Sequence, residues 1–488
     1  MIQPAKIIII LGIFSTCTSA RGQINGSNLL EYQYGKIPGD TSRFSAVYDR
    51  AVVKYSQKKF TGAITLEQYQ SPFESRNYLK LTQYSLQYTS DPLEVKIGNF
   101  YETIGRGLLL RSFEIPGAVL EDISYRSRHY FNRDILGFNI KYRIKNFSFK
   151  LLSGRPLSYV FPPTYDDKVR RPDNTDVLYA DYTFKKHTLG TSLMRLTNKN
   201  QTSVYNMLSL SGNFSPKVSY YMEFAKNTSN YNLNDFSNQV PYAFYGSLNF
   251  SFDRLGISSE YKYYNNFLLG AGINEPPALV KEHSYRVLNR STHVLQPLNE
   301  KGYQLELFYT FDNGSVLTFN NTLAVNDFGK MFSFQEYFLE YDFYVFTNHN
   351  MKVFADYAED PFKQEEQRIS AGTYIDWKMS ETGSFRTDYE FQTFVRLKQR
   401  VQNHILNLGY AFGSKIIVNA TTEWSNDSFI MESKSKVWLA SSVKYQINPD
   451  NNVLLFAGSR RGGPACNAGV CYEVLDFTGV ELRLTSRF

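Results

Sequence analysis

The chain has 488 residues and a formal charge of +7, with 37 Tyr and 38 Phe but only 3 Trp. Its mean hydropathy is -0.37, and no apolar run after residue 22 is long enough for a membrane-spanning helix, which excludes a helical membrane protein. The Lys and Arg residues are scattered and form no helical basic motif, so the positive charge does not indicate a nucleic-acid partner.

Residues 1–22 have the features of a secretory signal peptide. A lysine precedes an apolar stretch at residues 7–14, which is too short to span a membrane, and small or polar residues follow. Cleavage is expected after Ala20 or Gly22. Cys17 follows a poor lipoprotein motif, so we expect it to be removed with the signal peptide.

Most of residues 23–488 alternates between apolar and polar side chains, the period expected of β-strands. Short turn-type segments such as 145–146 and 312–314 take turns with longer connections. Short periplasmic turns, long extracellular loops and girdles of aromatic residues are typical of outer-membrane β-barrels. The sequence predicts an all-β fold, a single antiparallel up-and-down barrel of about 24 strands within a range of about 22 to 26. The longer connections are 155–175, 228–240, 265–300 and 461–471.

Alternation stops near Phe100, and the segment 103–133 is irregular and rich in charge. Its backbone cannot face lipid, because its polar groups would have no partners there, and a barrel of this width has room in its lumen. Its apolar residues also need a place to be buried. We therefore predict that 103–133 folds inward and constricts or plugs the lumen; the alternative is an ordinary extracellular loop. The charged residues assigned to the constriction are Arg106, Arg111, Glu114, Arg126, Arg128 and Arg133.

The longest connection, 265–300, carries side chains that could bind ligands. Glu282, His283 and His293 could hold a metal ion, and nearby arginines could bind an anion. The spacing matches no compact metal motif, and the chain has only 6 His. We therefore predict a long extracellular loop packed over the barrel mouth, with no metal ion and no cofactor.

Charged residues on the polar face of the stretch 385–398 are expected to line the lumen, where opposite charges stabilise one another modestly. They are Arg386, Asp388, Glu390, Arg396 and Lys398. The carboxylates of such a ladder need no catalytic explanation, and the sequence holds no GxSxG, HExxH or Walker motif. We therefore expect that the protein is not an enzyme.

Cys466 and Cys471 are the cysteines that remain after removal of the signal peptide. A zinc site would need further Cys or His residues nearby, and there are none in this stretch. Paired cysteines in an exported chain favour a disulfide. We predict a structural disulfide that closes the last extracellular loop.

The last residues of the chain alternate in the same way as the other strands. Val480, Leu482, Leu484 and Phe488 fall on one face, and polar or charged residues lie between them. This strand resembles the closing strand of a bacterial outer-membrane barrel. The resemblance implies that Phe488 is recognised by the barrel insertion machinery.

Three stretches together carry a resemblance to a known family: residues 98–108, residues 274–277 continuing to 292–293, and residues 461–463 through the cysteine pair to Phe488. They resemble an uncharacterised, porin-like outer-membrane β-barrel family of the Bacteroidota, known as a domain of unknown function. The resemblance spans nearly the whole mature chain. It implies an outer-membrane location and a barrel fold, and it supplies neither a substrate nor a catalytic residue.

The sequence leaves three functional hypotheses open. The leading one is a channel or passive transporter with a polar, partly constricted lumen. The second is a non-conducting barrel subunit of a larger secretion or uptake complex, and the third is a soluble periplasmic β-sandwich. The expected partners are outer-membrane lipid, the insertion machinery, and other outer-membrane or periplasmic proteins.

Overall fold

A computed structural model describes most of the chain. The described residues are 22–36, 43–122, 127–157, 173–198, 201–229, 239–270, 273–294, 298–346, 348–428, 435–467 and 470–488. The cleavage site expected after Ala20 and the predicted constriction residue Arg126 lie outside these ranges. The side chains of 464–473 are likewise not described.

The described ranges contain thirty β-strands and almost no helix. The first nine strands are β1 (Gln23–Lys36), β2 (Arg43–Gln57), β3 (Phe60–Gln70), β4 (Tyr78–Thr89), β5 (Leu93–Phe100), β6 (Thr103–Ile104), β7 (Leu110–Arg111), β8 (Phe113–Glu121) and β9 (Arg128–Arg133). The next nine are β10 (Ile135–Ile144), β11 (Phe147–Pro156), β12 (Asn174–Phe184), β13 (His187–Asn198), β14 (Gln201–Ser215), β15 (Val218–Asn227), β16 (Tyr242–Ser251), β17 (Leu255–Asn265) and β18 (Asn299–Thr310). The last twelve are β19 (Val316–Asp327), β20 (Met331–Val345), β21 (His349–Asp360), β22 (Glu365–Lys378), β23 (Gly383–Arg396), β24 (Gln399–Phe412), β25 (Ile416–Ser425), β26 (Lys436–Asn448), β27 (Asn451–Arg460), β28 (Gly463–Asn467), β29 (Val470–Val474) and β30 (Phe477–Arg487).

Two short helical turns complete the description, a 3-10 turn at Glu74–Arg76 and helix α1 (Arg286–Arg290). In the part of the chain that the structure describes, no helix has the length and apolar character needed to cross a membrane.

Twenty-four of the strands form one closed antiparallel sheet. Neighbours along the chain pair in sequence, except where β5 pairs with β10 and β27 pairs with β30. The barrel closes where β1 pairs with both β2 and β30. The prediction of a single antiparallel barrel of about 24 strands is therefore confirmed, and strands β6 to β9 lie outside its wall.

Successive side chains of each barrel strand point alternately into and out of the barrel. On β1, Glu31 and Gln33 are fully buried inside, whereas Tyr32 and Tyr34 are 39% and 40% exposed on the outer surface. The same alternation along β30 places Phe488 on the outer surface. The barrel therefore has an apolar, aromatic outer face and a polar inner face.

The chain leaves the wall after β5 because of a local backbone feature. Strands β4 and β5 pair over only five residues each, which end at Ser85 and Gly98. Gly98 has a φ of 99°, and a Cβ at this position would lie 2.2 Å from the carbonyl oxygen of Tyr84, so only glycine fits. The side chain of Asn99 then accepts a hydrogen bond from the backbone N–H of Tyr84 at 2.9 Å. This amide takes the place of the missing strand partner and lets the chain turn inward.

Candidate functional site in the lumen

Three connections leave the wall and pack against lumen-facing side chains. The first insert, residues 101–134, joins β5 to β10; the second insert, residues 266–298, joins β17 to β18; the third insert, residues 461–476, joins β27 to β30. The inserts share the interior of the barrel with the polar inner face of the wall. The lumen and the inserts together are therefore the candidate functional site.

The inserts are bonded to one another. The backbone N–H of Arg111 donates to the carbonyl oxygen of Ile273 at 2.9 Å, and Arg133 forms an ion pair with Glu275. Two of the predicted constriction residues thus join the first insert to the second. The guanidinium of Arg290 donates to a carbonyl oxygen of the third insert at 3.2 Å. The three inserts therefore form one connected body inside the barrel.

An apolar core lies between the first insert and the inner face of the wall. Leu108, Leu109 and Leu110 are completely buried. This burial accounts for the apolar residues that interrupt the charged sequence of the insert, since they need a site away from water. The wall residues of this core include Leu152, Val177, Met194, Met207, Ala225, Ala243 and Tyr264, and the second insert contributes Phe267, Leu269, Ile273 and Leu279.

Where the first insert begins, a buried carboxylate binds it to the wall. Glu102 accepts from Lys141 at 2.7 Å, from Lys150 at 2.8 Å and from the side chain of Asn139 at 2.8 Å. Burial would raise the pKa of Glu102, but Lys150 and the hydrogen bonds outweigh it, so the pKa lies below its usual range. Glu102 therefore stays ionised and bound to both lysines at neutral pH.

The first insert reaches two distant parts of the wall. On β1, Glu31 forms an ion pair with Arg128 at 2.8 Å, and on β3, Glu67 accepts from the backbone N–H of Tyr130 at 2.9 Å. On β15, Glu223 accepts from the backbone N–H of Arg106 at 2.6 Å. Because β15 is the eleventh of 24 wall strands counted from β1, Glu31 and Glu223 lie on widely separated parts of the wall. The first insert therefore spans the space between them.

Glu114, the predicted acidic member of the constriction, belongs to β8 and lies against the inner face of β2. Its carboxylate is 3.5 Å from the guanidinium of Arg50 and accepts from the hydroxyl of Tyr101 at 3.2 Å. The guanidinium of Arg50 also lies 3.6 Å from the centre of the Tyr130 ring. Arg50 therefore holds two strands of the first insert, β8 and β9, against the wall.

The second insert runs along the inner face of β17 to β25. At the start of α1, Glu390 accepts from the backbone N–H groups of Arg286 and Val287 at 3.2 and 2.8 Å. The hydroxyl of Tyr285 donates to Glu340 at 2.5 Å. The segment predicted as a long extracellular loop is thus held by lumen-facing side chains of the wall.

Both histidines that the sequence suggested as metal ligands contact carboxylates of the wall. His283 lies 3.2 Å from Glu336, and His293 lies 3.5 Å from both Glu300 and Asp360. The carboxylates in ion-pair distance of the two histidines are different ones. Among the residues that it describes, no three His, Cys, Asp or Glu side chains are grouped as metal ligands.

The attachment of the second insert is expected to weaken at high pH. Burial lowers the pKa of His293, but Asp360 and Glu300 raise it more, so the pKa lies above its ordinary value. A raised pKa in the folded state stabilises the protein below about pH 6.5, the unfolded value, and this stabilisation is lost as the pH rises through the folded value. We expect the urea midpoint of unfolding to fall between pH 6 and pH 9, and His293→Gln to reduce that fall. The matched control is His349→Gln, a histidine at the edge of β21, and an unchanged pH dependence in His293→Gln would contradict the assignment.

The charged residues predicted to line the lumen at 385–398 lie in different surroundings: on the inner face of the wall, between neighbouring segments, and in a turn. Arg386 pairs with Asp388 at 2.9 Å on the inner face of β23. Arg396 bonds to the carboxylates of two neighbouring segments, Glu365 and Asp427, at 3.0 and 2.6 Å. Lys398 lies in the turn between β23 and β24, with a φ of 65°.

The third insert contains the two cysteines of the predicted disulfide. In the hairpin of β28 and β29, the backbone of Cys466 lies directly opposite that of Cys471. This register brings the two residues together, and the disulfide itself stays a prediction.

The last residue, Phe488, exchanges two backbone hydrogen bonds with Gly26 of β1, at 2.8 and 3.1 Å, so it takes part in closing the barrel.

Sequence reasoning missed the wall carboxylates that bind the inserts. Each stands on the polar face of an alternating strand, as many lumen residues do, and no local pattern distinguishes it. The only available signal was a carboxylate at an inward position, and the partner cannot be read from that. These residues are Glu31, Glu67, Glu223, Glu336, Glu340 and Glu423.

Comparison with solved structures shows the fold. In the E. coli P pilus tip assembly intermediate PapC-PapD-PapK-PapG, one chain matches with 10% identity and a TM-score of 0.55, over 96% of this chain and 60% of that chain. Acinetobacter baumannii OccAB3 matches with 10% identity and a TM-score of 0.41, over 76% of this chain and 99% of that one. The outer membrane protein opdK of Pseudomonas aeruginosa matches with 11% identity and a TM-score of 0.39, over 70% and 95%.

Comparison with curated protein sequences gives no match. Residues 45–382, more than half of the chain, match the profile of a family of unknown function, DUF6029. The matched region covers β2 to β22 and therefore includes the first and second inserts. The chain belongs to the DUF6029 family.

Proposed function

We propose that the protein is an outer-membrane channel or passive transporter whose polar lumen is narrowed by the first insert. The observation that carries this proposal is the closed barrel with an apolar outer face and a charged inner face. Closure gives every strand two neighbours, which is the condition for crossing lipid with β-strands. Large exposed side chains such as Leu178, Leu208, Leu339 and Leu439 on the outer face suit a lipid surface and would be costly in water.

We extend the proposal to the outer membrane, with lipid around the wall. The exposed Phe488 at the end of β30 supports recognition of this strand by the insertion machinery. The predicted signal peptide is consistent with this route.

The second candidate is a non-conducting barrel that serves a larger secretion or uptake complex. It is favoured by the apolar core between the first insert and the wall, because fully buried leucines exclude water from that side of the lumen. In this reading the inserts would seal the barrel until a partner displaces them.

The experiment that separates these candidates is single-channel conductance of the purified protein in planar bilayers, with and without residues 103–133. Steady conductance of the intact protein, enlarged by the deletion, supports the constricted channel. Silence of the intact protein with large openings after the deletion supports the sealed barrel. Silence of both proteins contradicts the channel. Circular dichroism and heat-modifiable mobility of both proteins control for folding and insertion.

A further inference from the structure

A cavity of about 570 Å³ lies inside the barrel between the first insert and the inner face of β1 to β5 and β30. Its roof is formed by residues of the first insert, among them Tyr101, Glu114 and Tyr130. Its walls are formed by the half of each strand that lies on the side of the barrel where β1 begins and β30 ends. A solute in the lumen that reaches the first insert from this side meets the cavity.

The cavity is strongly basic. Five cationic side chains line it, and among the described lining residues Glu114 supplies the single carboxylate. A low-dielectric wall that carries one sign of charge concentrates ions of the opposite sign. The five cations are Arg50, Lys54, Lys96, Arg483 and Arg487.

Two of these cations form ion pairs within the described part of the protein, and three do not. Arg50 pairs with Glu114 at 3.5 Å, and Arg483 pairs with Glu31. In the part of the chain that the structure describes, the side chains of the other three form no hydrogen bond and no ion pair. These three are Lys54, Lys96 and Arg487.

The residues beside the free lysine of β2 are small, which leaves room for a ligand. Lys54 lies opposite Asn25 on β1 and Ala63 on β3, and Ala63 lies opposite Ser85 on β4. The next position across, on β5, is Gly98, two residues from Lys96. The two lysines therefore face a shared space over a floor of short side chains.

We propose that this cavity binds a small polar anion through carboxylate or phosphate oxygens. The anion would be the solute class of the channel, and in that respect the inference rests on the proposed function. Ammonium and guanidinium groups form their strongest hydrogen bonds with such oxygens. The hydroxyl of Tyr101 lines the same space and can donate to the ligand when it is released from Glu114, whereas the amide of Gln83 already donates to Tyr101 and Asp134.

Glu114 gives the site an internal competitor. Its carboxylate occupies the guanidinium of Arg50 and the hydroxyl of Tyr101, which are groups that an anion would use. A bound anion would therefore compete with the Glu114 carboxylate of β8 for Arg50 and Tyr101. Removing the charge of Glu114 is expected to strengthen anion binding, in contrast to removal of the lysine charges.

The test is isothermal titration of the full-length protein in detergent with citrate, with inorganic phosphate, and with glucose as the neutral control. The double variant Lys54→Gln with Lys96→Gln is expected to bind citrate at least about tenfold more weakly, since two charge-assisted contacts are lost. Glu114→Gln is expected to bind it more tightly. The matched control is Lys352→Gln, which removes a lumen lysine that is already close to Glu340 and Asp342, at 3.8 and 3.5 Å.

Citrate binding that is lost in the double variant and kept in the control supports the site, and a stronger response to citrate than to phosphate assigns it to carboxylates. Absence of citrate and phosphate binding in the intact protein overturns the proposal. Equal binding in the intact protein and the double variant also overturns it. Titration does not depend on conductance, so the two proposals can fail separately. Anion binding without conductance would support the site and count against the channel. Conductance without anion binding would support the channel and count against the site.

Discussion

Replacing Arg128 with alanine is expected to lower the free energy of unfolding by about 3–5 kcal/mol, because it removes the cation shared by two buried carboxylates and leaves Glu31 with Arg483 alone. Arg128 is 5% exposed and lies 2.8 Å from Glu31, which is completely buried on β1. Glu121 is the weaker partner, at 3.8 Å. Burial lowers the pKa of Arg128, but Glu31 and Glu121 raise it above its ordinary value, so the guanidinium is charged at every pH at which the barrel is folded.

The loss of stability is expected to affect the first insert more than the barrel wall. The hydroxyl of Tyr78 on β4 donates to the backbone carbonyl of Arg128 at 2.5 Å, so this end of the insert is held by β1 and β4 together. We expect Arg128→Ala to show earlier unfolding in urea, faster protease cleavage within 101–134, and a higher conductance if the insert narrows the lumen. The matched control is Arg195→Ala, whose pair with Asp176 is exposed and contributes about 0–1 kcal/mol. Equal stability of the two variants would show that Arg128 does not hold the insert.

The barrel was predictable from the sequence because its cause is local. A strand between lipid and water must alternate, so each stretch of ten residues carries the signal on its own. The departure of the chain at Phe100 was predictable for the same reason, since the alternation stops there. Burial of Leu108 and its neighbours followed from the need to remove apolar side chains from water.

The arrangement of the lumen was not predictable, because its bonds join residues that are far apart in the chain. Arg128 was recognised as a charged residue of the insert, but nothing near it identifies Glu31 as its partner. The second insert posed a related difficulty. A polar segment is equally compatible with the barrel mouth and with a wet lumen, and no local pattern predicts that Glu390 accepts hydrogen bonds from the start of α1.

The inserts are therefore attached by a few buried charges on an otherwise regular wall. The first insert is bonded at Glu102, Glu31 and Glu223, and the second at His293, Glu390 and Arg368. Buried ion pairs contribute little net stability but are costly to break on one side only. Such attachments hold one arrangement firmly and can be released by a change at a single position, which under the proposed function suits segments that narrow the lumen.

The strongest of these attachments predicts the largest effect on the second insert. Arg368 on β22 is 1% exposed and contacts Glu336 at 3.0 Å, Glu365 at 3.2 Å and Asp356 at 3.4 Å. It also donates to the backbone carbonyl of Ser291 in the second insert at 2.9 Å. Arg368→Ala would leave three buried carboxylates without this cation, and we expect it to cost about 3–5 kcal/mol of the free energy of unfolding.

The variant Arg368→Lys distinguishes the contribution of the positive charge from that of the guanidinium geometry. Lysine keeps the positive charge but cannot reproduce the planar set of donors, so the lysine variant is expected to fall between the wild type and Arg368→Ala. Arg386→Ala is the matched control on the next strand, because its side chain is 52% exposed and its pair contributes about 0–1 kcal/mol. Urea unfolding followed by tryptophan fluorescence measures stability, and proteolysis within 266–298 reports release of the second insert. If Arg368→Ala unfolds at the same urea concentration as Arg386→Ala, and its second insert remains protected, the buried network does not attach that insert to the wall.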